Sequence, residues 1–302
     1  MKHAFIMDPL ERVKAYKDTS YFLMLAACER GHQVYYLDAG DLYVKDSSVI
    51  ATAQRVNVQD DPQVPFQPES AEPVLLADMD AVWIRTDPPV DRAYFYMTML
   101  LDLLPAHVKV VNRPSTIRDW NEKLAALQYP QFTPATMVAR HSAQIIDFVH
   151  QHGRTTLKPI DGHGGAGIIF VDAEQADLES QIRLVTHGDS HWVIVQQYLD
   201  AAKEGDKRIL LLNGEPLGAI LRLHAEGVEL NNLDQGGEAL ASKLLDRDRE
   251  ICAGLKADLV SRGVVFAGID VIGGMLMATF VATVFVPLFY VLMASLGERL
   301  KR

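Results

Sequence analysis

Residues 271–297 form a run of 27 positions without a charged side chain, bounded by Asp270 and Glu298. A run of that length has to be kept from water, inside a core, against a partner or in a bilayer. Residues 275–296 are apolar except for two threonines and a serine, which clears the roughly 18 residues that mark a membrane-spanning helix. The basic excess of the following ERLKR is of the kind left on the cytoplasmic side. The pattern predicts an apolar C-terminal helix with membrane contact through 275–296; a buried core helix is the alternative.

The rest of the chain reads differently. A length of 302 residues suits two domains with substantial cores. Lys and Arg number 29 against 39 Asp and Glu, for a net charge of −10. No basic stripe with interleaved aromatics appears, which argues against a nucleic-acid partner, so an anionic ligand needs a local positive site. Cys28 and Cys252 belong to no CxxC or Cys/His spacing and read as free thiols of a reducing cytosol. The N-terminus has a short apolar core broken by Asp8-Pro9, which is no secretory signal. The expected location is therefore cytoplasmic, with a tether to the inner face of the membrane if the tail spans.

Through residue 127, apolar runs at 3–7, 32–44, 81–84 and 107–111 alternate with helical patterns such as SYFLMLAACER, which Gly31 closes. That alternation predicts an α/β layer with a mainly parallel sheet. Ligands of such sheets sit beyond the carboxyl ends of the strands, where Asp8, Arg85, Asp87 and Asn112 fall. The proline-rich QDDPQVPFQPESAEP is read as a surface loop. From residue 133 the order becomes strand, helix, strand, glycine loop, strand, helix and strand, then a hairpin turning at Asn213-Gly214. This is an α+β portion beginning near residue 120.

The glycine loop LKPIDGHGGAGIIF, residues 157–170, sets four glycines in six positions behind Lys158. Glycines let several backbone N–H groups converge on one phosphate, and Lys158 adds a mobile positive charge. The loop lacks the Lys-Ser/Thr ending of a P-loop and the helix of a dinucleotide fold; a flexible hairpin tip is the plain alternative. Gln196, Gln197, Asp206, Lys207 and Arg208 cluster on two nearby strands. Asp270 lies inside the apolar strand FAGIDVIG, where a carboxylate is costly without a cation, and Mg²⁺ suits one close to phosphates.

In these segments and their order the chain resembles the bacterial glutathione synthase family of ATP-grasp ligases. The resemblance covers residues 1–273 and is carried by MDP, YKDTSYFLMLAACERGH, YYLDAGDLYV, WIRTDPPVDRAYFY, VVNRPSTIRDWNEKL, LKPIDGHGGAG, KEGDKRILLLNGEP and VFAGIDVIG. It implies an α/β N-terminal substrate domain over 1–120 and a truncated α+β ATP-grasp domain over 121–273; the apolar helical tail over 274–302 stands outside it. It also implies how residues are used. Lys123 and Lys158 would hold the ATP phosphates under a lid that includes Asp161, Gly162, Gly164 and Gly165. Gln196, Gln197, Tyr198 and Leu199 would line the adenine and Asp206 the ribose. Arg208 and Arg222 would face the reacting groups, and Asp270 would bind Mg²⁺ or Mn²⁺. Lys17, Asp18, Ser20, Arg85 and Asn232 would contact substrate. The implied reaction joins γ-glutamylcysteine to glycine through an acyl phosphate made from ATP, in a protein that assembles as a homo-oligomer.

Two departures from the family pattern stand out. The substrate loop EGVELNNLDQGG has Leu230 where an arginine is usual. The Glu-x-Asn segment that follows the metal-binding strand in the family is replaced by GGMLMATFVATVFVPLFYV, and Glu298 is the sole carboxylate after Asp270. That tail resembles the last membrane helix of resistance-nodulation-division efflux transporters, with a junction near Gly273-Gly274. The expectation is a ligase impaired by lost metal ligands. Another ATP-grasp carboxylate–amine ligase, or a membrane-tethered ATP-binding protein without catalysis, is the alternative.

Overall fold

The computed structural model describes residues 1–16, 18–61, 63–162, 165–223 and 238–281. The first sheet is built from β1 (Lys2–Ile6), β2 (Gln33–Leu37), β3 (Leu42–Lys45), β4 (Ser48–Val58), β5 (Phe66–Pro68), β6 (Glu72–Leu75), β7 (Ala81–Ile84) and β8 (Lys109–Val111). Its order is β3-β4-β2-β1-β7-β8, with β5 and β6 paired to β4. The strands β2, β1, β7 and β8 run parallel, as the strand–helix alternation predicts. Burial follows the period of two in β1: Ala4 and Ile6 enter one core, Phe5 and the next residue, Met7, the other. Helices α1 (Thr19–Glu29), α2 (Arg92–Leu101) and α3 (Pro114–Asp119) connect and cover these strands.

The proline-rich segment is not wholly loop. Its residues 66–68 and 72–73 belong to β5 and β6, which pair with β4. Proline is tolerated in such flanking strands because its missing N–H can face away from the ladder. Asn112 does not line a ligand site either. Its amide donates to Phe266 O at 2.7 Å, and its oxygen accepts from Val265 N and Phe266 N at 2.8 and 2.9 Å. It ties the end of β8 to the start of a strand about 150 residues on.

Beyond residue 130 lie β9 (Thr136–Ala139), α4 (Ser142–His152), β10 (Thr155–Pro159), β11 (Ile169–Val171), α5 (Leu178–Val185) and β12 (Val193–Gln197). Their four strands order as β11-β10-β12-β9. A last sheet follows from β13 (Asp206–Leu212), β14 (Glu215–Leu223), β15 (Glu238–Ser242), β16 (Phe266–Ile272) and β17 (Met275–Val281), with α6 (Asp246–Ser261) inserted before β16. The order is β15-β14-β13-β16-β17, antiparallel throughout. Asn213 and Gly214, at φ 50° and 75°, make the expected hairpin turn between β13 and β14.

The apolar tail does not begin as a helix. Gly273 and Gly274, both at positive φ (56° and 77°), form a two-residue turn of the kind that suits the twist of a β-hairpin. The chain then returns along β16 as β17, pairing Val271 with Leu276 and Ile272 with Met275. Leu276 is fully buried with Trp120, Phe132, Ile251 and Leu255, and its N–H donates to Phe132 O at 2.7 Å. The turn at 273–274 is therefore part of the sheet, and the likeness to an efflux-transporter helix finds no support. Among the described residues no helix is long and apolar enough to cross a membrane; residues 282–302 lie outside them. Truncating Leu276 to Ala should cost about 2–5 kcal/mol of stability, read by chemical denaturation. A residue belonging to an appended tail would leave stability unchanged.

Candidate functional site

Strand pleating sorts the charged residues of β13. Asp206 and Arg208 share one face, while Lys207 points to the other and pairs with Asp248 of α6 at 2.6 Å. Register does the rest. Asp206 lies opposite Arg222 of β14, and Arg208 opposite Asp270 of β16. Gly205, at φ 103°, lets β13 start this close to its neighbour, since a Cβ there would stand 2.5 Å from Arg222 O.

The four side chains form one buried cluster. Arg208 Nε and Nη2 donate to the two oxygens of Asp270, each at 2.7 Å. Arg222 Nη2 reaches Asp270 Oδ2 at 2.9 Å. Arg222 Nε donates to Asp206 Oδ1 at 2.9 Å, and its Nη2 to Asp206 Oδ2. Burial disfavours the Asp270 carboxylate, yet the two guanidiniums outweigh it and bring its pKa down to about 2. Asp206 moves the opposite way: burial and neighbouring Asp270 push its carboxyl up, against the pull of Arg222.

Lysines complete the positive side. Lys158 of β10 is buried and donates to Gln196 Oε1 at 2.9 Å; Gln196 in turn donates to Thr136 Oγ1 at 2.8 Å. Burial drives the Lys158 ammonium down to about 8, with Lys123 adding to the shift and Asp270 and Asp206 opposing it. Those influences place all four groups in one electrostatic neighbourhood. Lys123 donates to Glu122 at 2.9 Å, to Ile160 O at 3.1 Å and to Gly162 O. It thereby anchors the first turn of the glycine loop. The loop folds back on β10: at Gly167, φ 74°, a Cβ would sit 2.8 Å from Pro159 Cγ.

The expected residues thus divide into groups. Lys123, Lys158, Gln196, Asp206, Arg208, Arg222 and Asp270 come together. Gln196 is fully buried as the holder of Lys158, whereas Gln197, Tyr198 and Leu199 stay partly open. Tyr198 lies under the Arg154 guanidinium, 4.4 Å from its ring centroid. Asp161 is exposed and Gly165 takes φ 82°. Asp18, Ser20 and Arg85 meet in a separate cavity of about 270 Å³, lined also by Asp8, Arg12 and Asp87. There Asp18 caps α1 through Ser20 N at 2.6 Å, and Arg85 Nε donates to Ser20 Oγ at 3.0 Å. Arg12 went unnoticed in the sequence; its signal was a cation just past the exit of β1. Lys17, Gly164 and Asn232 lie outside the described residues.

A divalent cation needs oxygen donors, and Mg²⁺ wants about six in near-octahedral array. The cluster offers two carboxylates, each already held by guanidinium. No group of three His, Cys, Asp or Glu that could hold a metal occurs among the described residues. The described donor set does not fit a protein-held Mg²⁺.

Residues 1–118 match the family model for the N-terminal domain of prokaryotic glutathione synthetase, and residues 122–284 the model for its ATP-grasp domain. The second match runs past the Gly273-Gly274 turn. A glutathione synthetase of Gloeobacter violaceus is 42% identical over 282 residues, covering 91% of this chain and 87% of that protein. One from Nitrosomonas europaea is 40% identical over 278 residues, covering 90% and 87%. Among solved structures, a D-cycloserine synthetase superposes with a TM-score of 0.67 at 17% identity over 99% of this chain and 100% of that one, a likeness of fold. The chain belongs to the prokaryotic glutathione synthetase family and carries its ATP-grasp domain.

A polyphosphate ligand would select charged Lys158, which the free protein holds only below its pKa of about 8. Affinity for ATP should therefore be flat below that pH and fall by up to about tenfold per unit above it. Calorimetric titrations across that range test this; Lys158→Met should bind more weakly and lose the pH dependence.

Proposed function

We propose that this member of the prokaryotic glutathione synthetase family joins γ-glutamylcysteine to glycine at the expense of ATP. The substrate carboxylate attacks the γ-phosphorus and ADP leaves, giving an acyl phosphate; the glycine amine then displaces phosphate from the acyl carbon. The protein's part is alignment and charge neutralisation. The observation that carries the reading is the convergence of Lys158, Lys123, Arg208 and Arg222 beside a glycine loop, in a chain of net charge −10. Lys158 and Lys123 hold the phosphates, and the open edge at Gln197–Leu199 takes the base. Asp18, Ser20 and Arg85, in the N-terminal unit that ends near residue 120, take the peptide. The free thiols Cys28 and Cys252 suit a cytoplasmic setting.

A second reading, nucleotide binding with little turnover, is favoured by the occupied carboxylates and by the sequence MLMATFV of β17, which supplies no carboxylate or amide. Loss of one charge stabiliser in a dry site lowers the rate by about 10² to 10³. ADP release with γ-glutamylcysteine, glycine and Mg²⁺ should accordingly run slower than in the Gloeobacter violaceus relative by about that factor. Equal rates would remove the second reading. Release that another amino acid supports better than glycine would reassign the substrate.

A further inference from the structure

Building on the nucleotide-binding reading, we propose that Arg154 is a positioning residue for the nucleotide base: its guanidinium holds the Tyr198 ring and so sets the edge at Gln197–Leu199. Gln197 ends β12, and the chain beyond it is tied back on both sides. Gln197 N donates to Ala135 O at 2.9 Å, and Tyr198 N to Arg154 O at 3.0 Å. The ring of Tyr198 is held as well as its backbone. The Arg154 guanidinium carbon stands 4.4 Å from its centroid and 5.5 Å from that of Phe170. Phe170, on the strand that returns from the glycine loop, meets Tyr198 edge-on with centroids 5.6 Å apart.

Strand geometry places this trio with respect to the phosphate end of the site. Thr156 of β10 lies opposite both Phe170 and Gln196, and counting by twos puts Arg154, Lys158 and Tyr198 on that same face. Arg154 and Lys158 are four residues apart, about 13 Å along the strand, a span that suits an extended nucleotide from base to terminal phosphates. A ligand with its phosphates at Lys158 therefore brings its base to Arg154 and Tyr198. A planar guanidinium covers an aromatic face without giving up its charge to a carboxylate. That charge is partly answered by Asp172, whose Oδ2 lies 4.0 Å from Arg154 Nε. Arg154 thus acts through the placement of the ring rather than as one more phosphate cation.

The test compares two probes by calorimetric titration of the full chain in excess Mg²⁺: a non-hydrolysable ATP analogue, and inorganic tripolyphosphate, which has the phosphates and no base. Arg154→Met should weaken the analogue about three- to tenfold, the scale of one partly exposed cation–π contact, and leave tripolyphosphate unchanged. Tyr198→Leu should weaken the analogue by a similar factor, and the double variant should lose little more than either single one; this arm rests on the analogue alone. Equal losses for the two probes, no loss for the analogue, or additive losses in the double variant each overturn the proposal and leave nucleotide binding standing. Failure of the unaltered chain to bind the analogue overturns the nucleotide reading itself.

Discussion

Two aspartates and two arginines, set opposite one another on three antiparallel strands, are the constraint from which the site takes its form. Burying any one of these charges alone would be prohibitive. Together they are tolerated because each carboxylate meets a planar fork of donors in fixed register. The register is itself a product of the hydrophobic core below: Ile209, Leu211, Ile269 and Val271 face inward with Leu276 and the helix residues Ile251 and Leu255. Pleating then leaves Asp206, Arg208 and Asp270 on the other face. Site and core are two faces of one sheet, so a slip of one residue would exchange them.

The apolar run that opened the sequence makes sense on the same sheet. Length without charge suggested a helix, because 27 residues exceed any ordinary strand. Yet the first part of the run belongs to β16 and the next part to β17, separated by two glycines. An apolar strand can be as uncharged as a membrane helix, and hydropathy alone does not separate a hairpin of two apolar strands from one helix. The glycine pair was the available clue. Positive φ at consecutive positions is the geometry of a two-residue hairpin, and a Gly-Gly pair inside an apolar helix would have been unfavourable.

Much of the fold was legible because its elements carry local signals. The parallel strands of the first sheet end in polar loop residues, α1 is closed by Gly31, and the hairpin at Asn213-Gly214 needs left-handed backbone. The site residues came mostly from family resemblance, and the structure gathers six of them with Lys158. What stayed hidden was non-local. Nothing near Asn112 announces partners at 265 and 266. The strand β4, which joins β2, β3, β5 and β6, has the alternation Val49, Ala51, Ala53 but too little bulk to stand out. The short β5 and β6 owe their form to β4, and prolines in them pointed the other way.

The clamp on Asp270 also shapes what a ligand can gain. A neutral arrangement of four buried charges adds little net field at a distance, and Lys123 is paired with Glu122, so the unbalanced charge is that of Lys158. Lys158 stands out, because burial has already removed much of its preference for the proton. Its partner Gln196 is an amide, which orients the ammonium without neutralising it. A carboxylate there would have satisfied the free protein at the expense of the ligand. Uncompensated charge is thus held in reserve at the one position where β10 runs into the glycine loop, and an incoming anion supplies the counter-charge that the fold withholds.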